Sequence, residues 1–265
     1  MRSIGVIGVG VVGGAVLRGF RNRGMRVLGF DQNSSEYPDT PQVWKSDALF
    51  LCLPTPTDKD GKQDLTALHK TFLRLQAEKF EGVICIKSTV LPGTTQELAT
   101  KYGFRKVVHN PEFLTASRPY EDFMEQPAIL IGGCEEAAIE IGEIYFEAGF
   151  SGVRILKDAR ITEMAKYMHN VFLALKVTYC NEIREICEHV GIPYDKVRFA
   201  ALAMNGIGYG HTSTPGHDGQ AGYGGMCFPK DTQAFLNWAF VQQGLQVEAI
   251  EASVFGNRRR RPEVM

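Results

Sequence analysis

Cys227 sits in the stretch GYGGMCFPKD, between a run of glycine and tyrosine and the sequence Phe-Pro-Lys-Asp. Buried cysteines usually lie within apolar strands or helices, and that context is missing here. A nucleophilic thiol needs a cationic or basic neighbourhood to reach its thiolate, and Lys230 and Asp231 follow closely. On this stretch alone, packing and chemistry both remain open. The other five cysteines (Cys52, Cys85, Cys134, Cys180, Cys187) show no CxxC pair and no zinc spacing. Such scatter fits a reduced, cytoplasmic protein with no metal centre better than a disulfide scaffold. Cys52, Cys85 and Cys134 fall in or beside expected strands, and Cys180 and Cys187 on an expected helix. All five read as structural.

A second constellation opens the chain. Gly8, Gly10 and Gly13 form GxGxxG between an apolar run, Ser3 to Ile7, and a helical pattern through Ala15, Val16, Leu17 and Phe20. Gly8 supplies a tight turn, Gly10 lets a pyrophosphate approach the backbone, and Gly13 allows close helix–strand packing. The helix N-terminus at Val11 and Val12 then faces the phosphates. A second strand, Arg26 to Phe30, leads into Asp31, placed to hydrogen-bond a ribose 2′-hydroxyl and to repel a 2′-phosphate. NAD is therefore expected over NADP.

The elements that position these residues follow from periodicity. Further strand-like runs occur at Leu49–Leu53, Val83–Lys87, Lys106–His109, Ala128–Ile131 and Val153–Leu156, with helical patterns between them. Leu65, Leu68, Phe72 and Leu75 mark one face of such a helix. This alternation predicts an α/β fold: a Rossmann-type, doubly wound, mostly parallel sheet. Ligands bind such sheets at the carboxyl ends of the strands, where three polar clusters fall. These are PTPT (with Pro54 and Thr55), KSTV (with Ser88 and Thr89) and NPEF (with Glu112 and Phe113).

From Asp158 to His189 there is neither proline nor glycine, which predicts one helix about 48 Å long. Its middle is apolar on most faces, so it is expected to form a buried or dimer-forming spine. Lys166 and Asn170 lie four apart on it and share a face. Pro193 starts another helix. Eight of the 21 residues from Asn205 to Gly225 are glycine, an adaptable loop, and helices resume at Asp231. The expected division is an NAD-binding domain over 1–157, then the long central helix and a small all-helical catalytic and dimerisation domain over 158–265.

These pieces in this order resemble the UDP-glucose/GDP-mannose dehydrogenase family. The resemblance is carried by GVGVVG, CLPTPT, KSTVLPGTT, NPEFL, EDF, EMAKYMHNVFLALKVTYCNEI and GYGGMCFPKD. It implies oxidation of the C6 alcohol of UDP-glucose, or a similar nucleotide sugar, to a carboxylate by two NAD through a covalent cysteine intermediate. Matched by position, Cys227 is the implied nucleophile and Lys166, Asn170 and Asp231 its catalytic surroundings. Glu112 and Thr89 are implied in water activation and positioning. Phe113, Leu114, Tyr223 and Gly224 join Glu112, Lys166 and Asn170 as implied substrate-binding residues.

The chemistry is reasonable independently. An alcohol-to-acid oxidation must hold its aldehyde, and a thiol adduct that becomes a thioester does so. Lys166 and Asn170 can stabilise an oxyanion, and Glu112 can serve a hydrolytic water as base. Two positions depart from the family pattern: Ala116 stands where a second glutamate is usual, and Gly206 where an arginine reaches the neighbouring subunit's sugar. The family also continues past RRRRPE into a second nucleotide-binding domain, whereas this sequence runs to Met265. The expectation is therefore a homodimer with a reduced substrate grip, or one completed by a second chain.

Two other functions compete. A one-step hydroxyacid dehydrogenase would need no cysteine, and a non-catalytic NAD-binding subunit would not need Lys166, Asn170, Cys227 and Asp231. Composition is neutral between them: 265 residues, 44% hydrophobic, 22% charged, formal net charge -1. That charge favours neither nucleic acid nor an anionic membrane, and no apolar run approaches the ~20 residues of a membrane helix. The run Arg258–Arg261 reads as a solvated helix end.

Overall fold

The structure, a computed structural model, describes residues 2–264. Two compact units divide the chain: residues through Pro56 with Gln63–Lys166, and Thr57–Lys62 with Tyr167 onward.

In the first unit the strands are β1 (Ser3–Ile7), β2 (Arg26–Phe30), β3 (Ala48–Leu51), β4 (Val83–Ile86), β5 (Val107–His109), β6 (Ile129–Gly133) and β7 (Val153–Leu156). They form one sheet in the order β2-β1-β3-β4-β5-β6-β7. The order reverses between β1 and β3, which makes the crevice outside their carboxyl ends the ligand-binding position of such a sheet. Helices α1 (Val11–Asn22), α2 (Thr66–Ala77), α3 (Thr94–Tyr102), α4 (Pro119–Glu125) and α5 (Glu135–Glu147) connect the strands.

Alternation along each strand explains the two-sided core. Ile4, Val6, Ala48 and Phe50 belong to a cluster with Phe20 of α1, Phe123 of α4 and Tyr145 of α5. Ile7, Leu49 and Leu51 belong to the other, with Leu68, Phe72 and Leu75 of α2. Every strand pairing is parallel except β5–β6, which is antiparallel. The physical reason lies in α4, whose seven residues rise only about 10 Å. That does not carry the chain back along the sheet, so β6 runs down beside β5 rather than up.

The second unit is helical. Helix α6 (Ala159–Val190) has 32 residues, and its part from Tyr167 on belongs here. It is joined by α7 (Tyr194–Leu202), α8 (Phe228–Asn237), a π-helical turn (Trp238–Gln242) and α9 (Glu248–Arg260). Tyr167, Phe235 and Trp238 stack in series at centroid distances of 5.3 and 5.5 Å. The segment Thr57–Lys62 is tied in by Asn237, whose Nδ2 donates to the Asp60 carbonyl at 2.9 Å.

Two expectations are corrected. Helix α8 begins at Phe228 rather than Asp231, because Pro229 suits a first helical turn that has no use for its missing N–H. The arginine run is not uniformly solvated: Arg258 and Arg259 are exposed, but Arg261 is only 5% exposed and bonded within the fold. Among the described residues no helix is long and apolar enough to cross a membrane.

Candidate active site

The glycine turn has the geometry its spacing predicts. Gly8 has φ +87°, which favours glycine, and a Cβ on Gly13 would lie 1.8 Å from the Gly8 carbonyl oxygen. A Cβ on Gly10 would meet nothing within 4 Å, so the space above the turn is open. Gly10 caps α1 with no side-chain bond, and Val11 is exposed at its first turn, with Val12 half-buried. The first N–H groups of α1 thus face outward as donors. Asp31 follows β2, its Oδ2 accepting the Val9 N–H at 2.8 Å and its Oδ1 the Asn33 N–H at 2.8 Å. Each oxygen keeps a lone pair for a ribose hydroxyl.

The loops after β3 and β4 are cross-tied. Ser88 Oγ donates to the Leu53 carbonyl at 2.7 Å and accepts the Leu53 N–H at 2.9 Å. Thr55 Oγ1 donates to the Thr89 carbonyl at 2.7 Å. Pro54 is exposed between them, while Thr55, Ser88 and Thr89 are buried.

The loop after β5 carries the first unit's charged group. Lys166 Nζ donates to the Glu112 carbonyl and approaches Glu112 Oε1 at 3.1 Å, with the Phe113 ring 5.2 Å away. Glu112 Oε2 accepts the Leu114 N–H at 2.7 Å. Burial pushes the Glu112 carboxyl up, but the Lys166 charge, the Leu114 N–H and the Lys87 charge outweigh it and hold it below its ordinary value.

Sequence reasoning missed Lys87. It is 2% exposed and donates to the Asn110 carbonyl at 3.1 Å, to Asn110 Oδ1 at 2.9 Å and to the Tyr145 hydroxyl at 3.5 Å. Three acceptors match the three donors of an ammonium. Burial lowers its pKa, while Cys85, Cys52 and Glu112 act to raise it. Its position beside Ser88 at a strand end was the available signal.

In the second unit Cys227 is exposed at the N-cap of α8 and its carbonyl accepts the Asp231 N–H at 2.9 Å. Asp231 is buried, and one of its oxygens accepts Asn170 Nδ2–H at 2.7 Å while the other pairs with Lys230. His169 Nδ1 lies 3.0 Å from Asn170 Oδ1. Tyr223 is buried and Gly224 half-buried. Of the remaining cysteines Cys85, Cys180 and Cys187 are buried, and Cys52 and Cys134 half-buried. Burial pushes the thiols of Cys52 and Cys85 up to about 12.

The candidate residues therefore assemble into one group in each unit: Glu112, Phe113 and Lys166 in the first, and Asn170, Cys227 and Asp231 in the second. Two surface clefts contain none of them. One is lined by Trp44, Asp47 and Phe80, the other by Leu236, Phe240 and Val247.

A glycine turn at a sheet's switch point, with an acidic residue closing the second strand, defines a dinucleotide-binding domain of the NAD type. Residues 34–148 match the NAD binding domain of the UDP-glucose/GDP-mannose dehydrogenase family, and residues 160–259 its central domain. The chain belongs to that family.

It is 34% identical over 246 residues to UDP-glucose 6-dehydrogenase TuaD of Bacillus subtilis (strain 168), covering 89% of this chain and 51% of that protein. It is 33% identical over 233 residues to UDP-glucose 6-dehydrogenase of Rhizobium meliloti (strain 1021), covering 83% and 52%. The chain thus spans about half the length of the curated relatives it matches. Among solved structures, a UDP-glucose dehydrogenase from Pyrobaculum islandicum superposes with TM-score 0.86 at 28% identity, over 98% of this chain and 68% of that one. A 3-hydroxyisobutyrate dehydrogenase of Mycobacterium tuberculosis shares the fold alone, with TM-score 0.78 at 15% identity.

Proposed function

We propose that the protein is an NAD-dependent nucleotide-sugar 6-dehydrogenase that oxidises the C6 alcohol of UDP-glucose, or a similar nucleotide sugar, to the uronate. The observation that carries this reading is the exposed Cys227 at the N-terminus of α8, in a chain whose five other cysteines are buried or half-buried. NAD, when bound, would supply the hydride acceptor for each of the two oxidations. The residues present fit it: open space over Gly10, outward N–H groups at α1 and the Asp31 carboxylate would hold pyrophosphate and ribose. Thr55, Ser88 and Thr89 shape the loops beside them.

The chain's own residues divide the work between the two groups. The helix N-terminus and Lys230 favour the Cys227 thiolate. The thiolate adds to the C6 aldehyde as a thiohemiacetal, which is oxidised to a thioester and then hydrolysed. The buried Asp231 orients the Asn170 amide, which donates to the developing oxyanion. Lys166 contributes positive charge, and Glu112 receives a proton from the hydrolytic water. The resting Lys166–Glu112 pair makes Glu112 a weak base, so its basicity rises when Lys166 turns to the substrate oxygen. Thr89 positions that water, and Phe113, Leu114, Tyr223 and Gly224 contact the sugar nucleotide.

The partner we propose along α6 is a second copy of this chain. Met164, Met168, Phe172, Tyr179, Ile186 and Val190 are exposed along the helix at four- and seven-residue spacings, a stripe suited to another apolar helix. Light scattering reads this directly, and a monomer would remove the claim. The activity is tested by incubating the protein with NAD and a panel of UDP- and GDP-sugars and following NADH and uronate. The expected result is two NADH per uronate with UDP-glucose. NADH formed in a one-to-one ratio with an aldehyde or ketone product would replace this reading with one-step oxidation.

A further inference from the structure

The segment in front of Cys227 is gripped by polar side chains from two helices. Asn257 of α9 makes a two-way bond with the backbone of Tyr223, accepting its N–H at 2.7 Å and donating to its carbonyl at 2.9 Å. Arg261, at the end of the same helix, donates to the Ala221 carbonyl at 2.7 Å. Its guanidinium also forks onto Asp218, with contacts of 2.9 and 2.7 Å. Asn181 of α6 accepts the Gly222 N–H at 3.1 Å and the Thr214 hydroxyl at 2.9 Å. Asn257, Arg261 and Asn181 are all buried, so their bonds to the backbone of Ala221, Gly222 and Tyr223 are shielded from water, whereas Asp218 lies at the surface.

The glycines of the segment are shaped to these side chains. A Cβ at Gly222 would lie 2.5 Å from Asn257 Oδ1, and one at Gly224 would lie 2.2 Å from Arg261 Nη1. Both glycines thus give up side-chain volume to let the amide and the guanidinium reach the backbone. Asn257 and Arg261 are four residues apart and meet the segment from one helix face. By contrast, Arg258 and Arg259 point to solvent.

We propose that Asn257 and Arg261 are positioning residues for Cys227: they fix the backbone from Asp218 to Tyr223 and thereby hold the thiol at the N-terminus of α8. The inference rests on the reading of Cys227 as the nucleophile and adds what sets its reactivity. The fork to Asp218 matters because a bidentate guanidinium fixes direction as well as distance, which a lysine does not.

The test is the rate at which iodoacetamide alkylates Cys227 in the full chain, located by peptide mass spectrometry from about pH 5.5 to 9.5. In Arg261→Met the pH profile should move upward and labelling at neutral pH should slow about tenfold, the equivalent of one unit of thiol titration. Asp218→Asn weakens the fork from the loop side and should move the profile the same way by roughly threefold. Arg261→Lys should recover part of the loss. Circular dichroism establishes that each variant is folded, and if Arg261→Met is not, Asp218→Asn and Asn257→Ser decide the matter. Superimposable Cys227 profiles in the folded variants and the native chain would overturn the inference. Uronate formation by native protein and by Cys227→Ala tests the nucleophile separately, so the two failures are distinguishable.

Discussion

The two groups of candidate residues are held by different physics. In the first unit, Glu112 and Lys87 stand at strand ends, and the sheet's register brings the strand carrying Lys87 beside the strand leading to Glu112. Charge there is buried and balanced by specific partners. In the second unit, Cys227 is exposed, and the segment before it has no regular structure of its own. Its place is set by buried amide and guanidinium groups reaching in from α6 and α9. A sheet edge positions chemistry through backbone pairing, whereas a glycine loop relies on side chains distant in sequence.

The largest expected effect lies on the exposed side. Cys227→Ala should lower uronate formation by at least ~10³-fold while NAD binding, measured by calorimetry, is unchanged. Native-rate uronate formation by that variant would end the covalent reading. On the sheet side, Gly13→Val drives a side chain into the Gly8 carbonyl. It should cost about 3 kcal/mol in urea unfolding and abolish NAD binding. A variant that kept both would show that the turn is not close-packed.

Acid should separate the two units. His109 is fully buried, its Nδ1 2.9 Å from Thr162 Oγ1, and burial pushes it down to about 3 from an ordinary 6.5. Between those values the unfolded chain takes up a proton that the folded one does not. Stability therefore falls as pH drops through that window, by up to ~1.4 kcal/mol per pH unit. Glu112 acts with the same sign lower down: its lowered pKa gives stability above its unfolded value that is lost as pH falls through the folded one. Hydrogen exchange should show β4 and β5 losing protection before α8 and α9 on acidification. In His109→Gln the upper part of this dependence should disappear. Simultaneous loss in native protein would erase the distinction. The smallest effect is at Asp31, where Asp31→Ala should weaken NAD about tenfold and narrow its advantage over NADP.

The same contrast governs what could be read from the sequence. The GxGxxG turn, Asp31 and the strand series were legible because local periodicity and turn chemistry encode them. Helix α6 was legible to within a residue at each end, since it contains neither proline nor glycine. The antiparallel β6 was not, because strand direction depends on where a short helix leaves the chain. The start of α8 falls three residues before the expected Asp231, because Pro229 is accommodated in the helix's first turn. Lys87 and Arg261 were hidden for a common reason: burial of a cation is decided by acceptors far away in sequence. Arg261 looks like its neighbours in a run of four arginines, and only the Asp218 and Ala221 oxygens set it apart.

The cross-ties between the loops after β3 and β4 have a consequence for ligand entry. Ser88 and Thr55 join the two loops through three hydrogen bonds made within the protein itself. Ordering a free backbone residue costs about 1–2 kcal/mol of conformational entropy, and here that ordering accompanies folding rather than binding. A molecule entering the crevice between β1 and β3 therefore meets a rim that is already rigid. Its association should proceed as docking onto a fixed surface, with little loss of chain freedom in these loops.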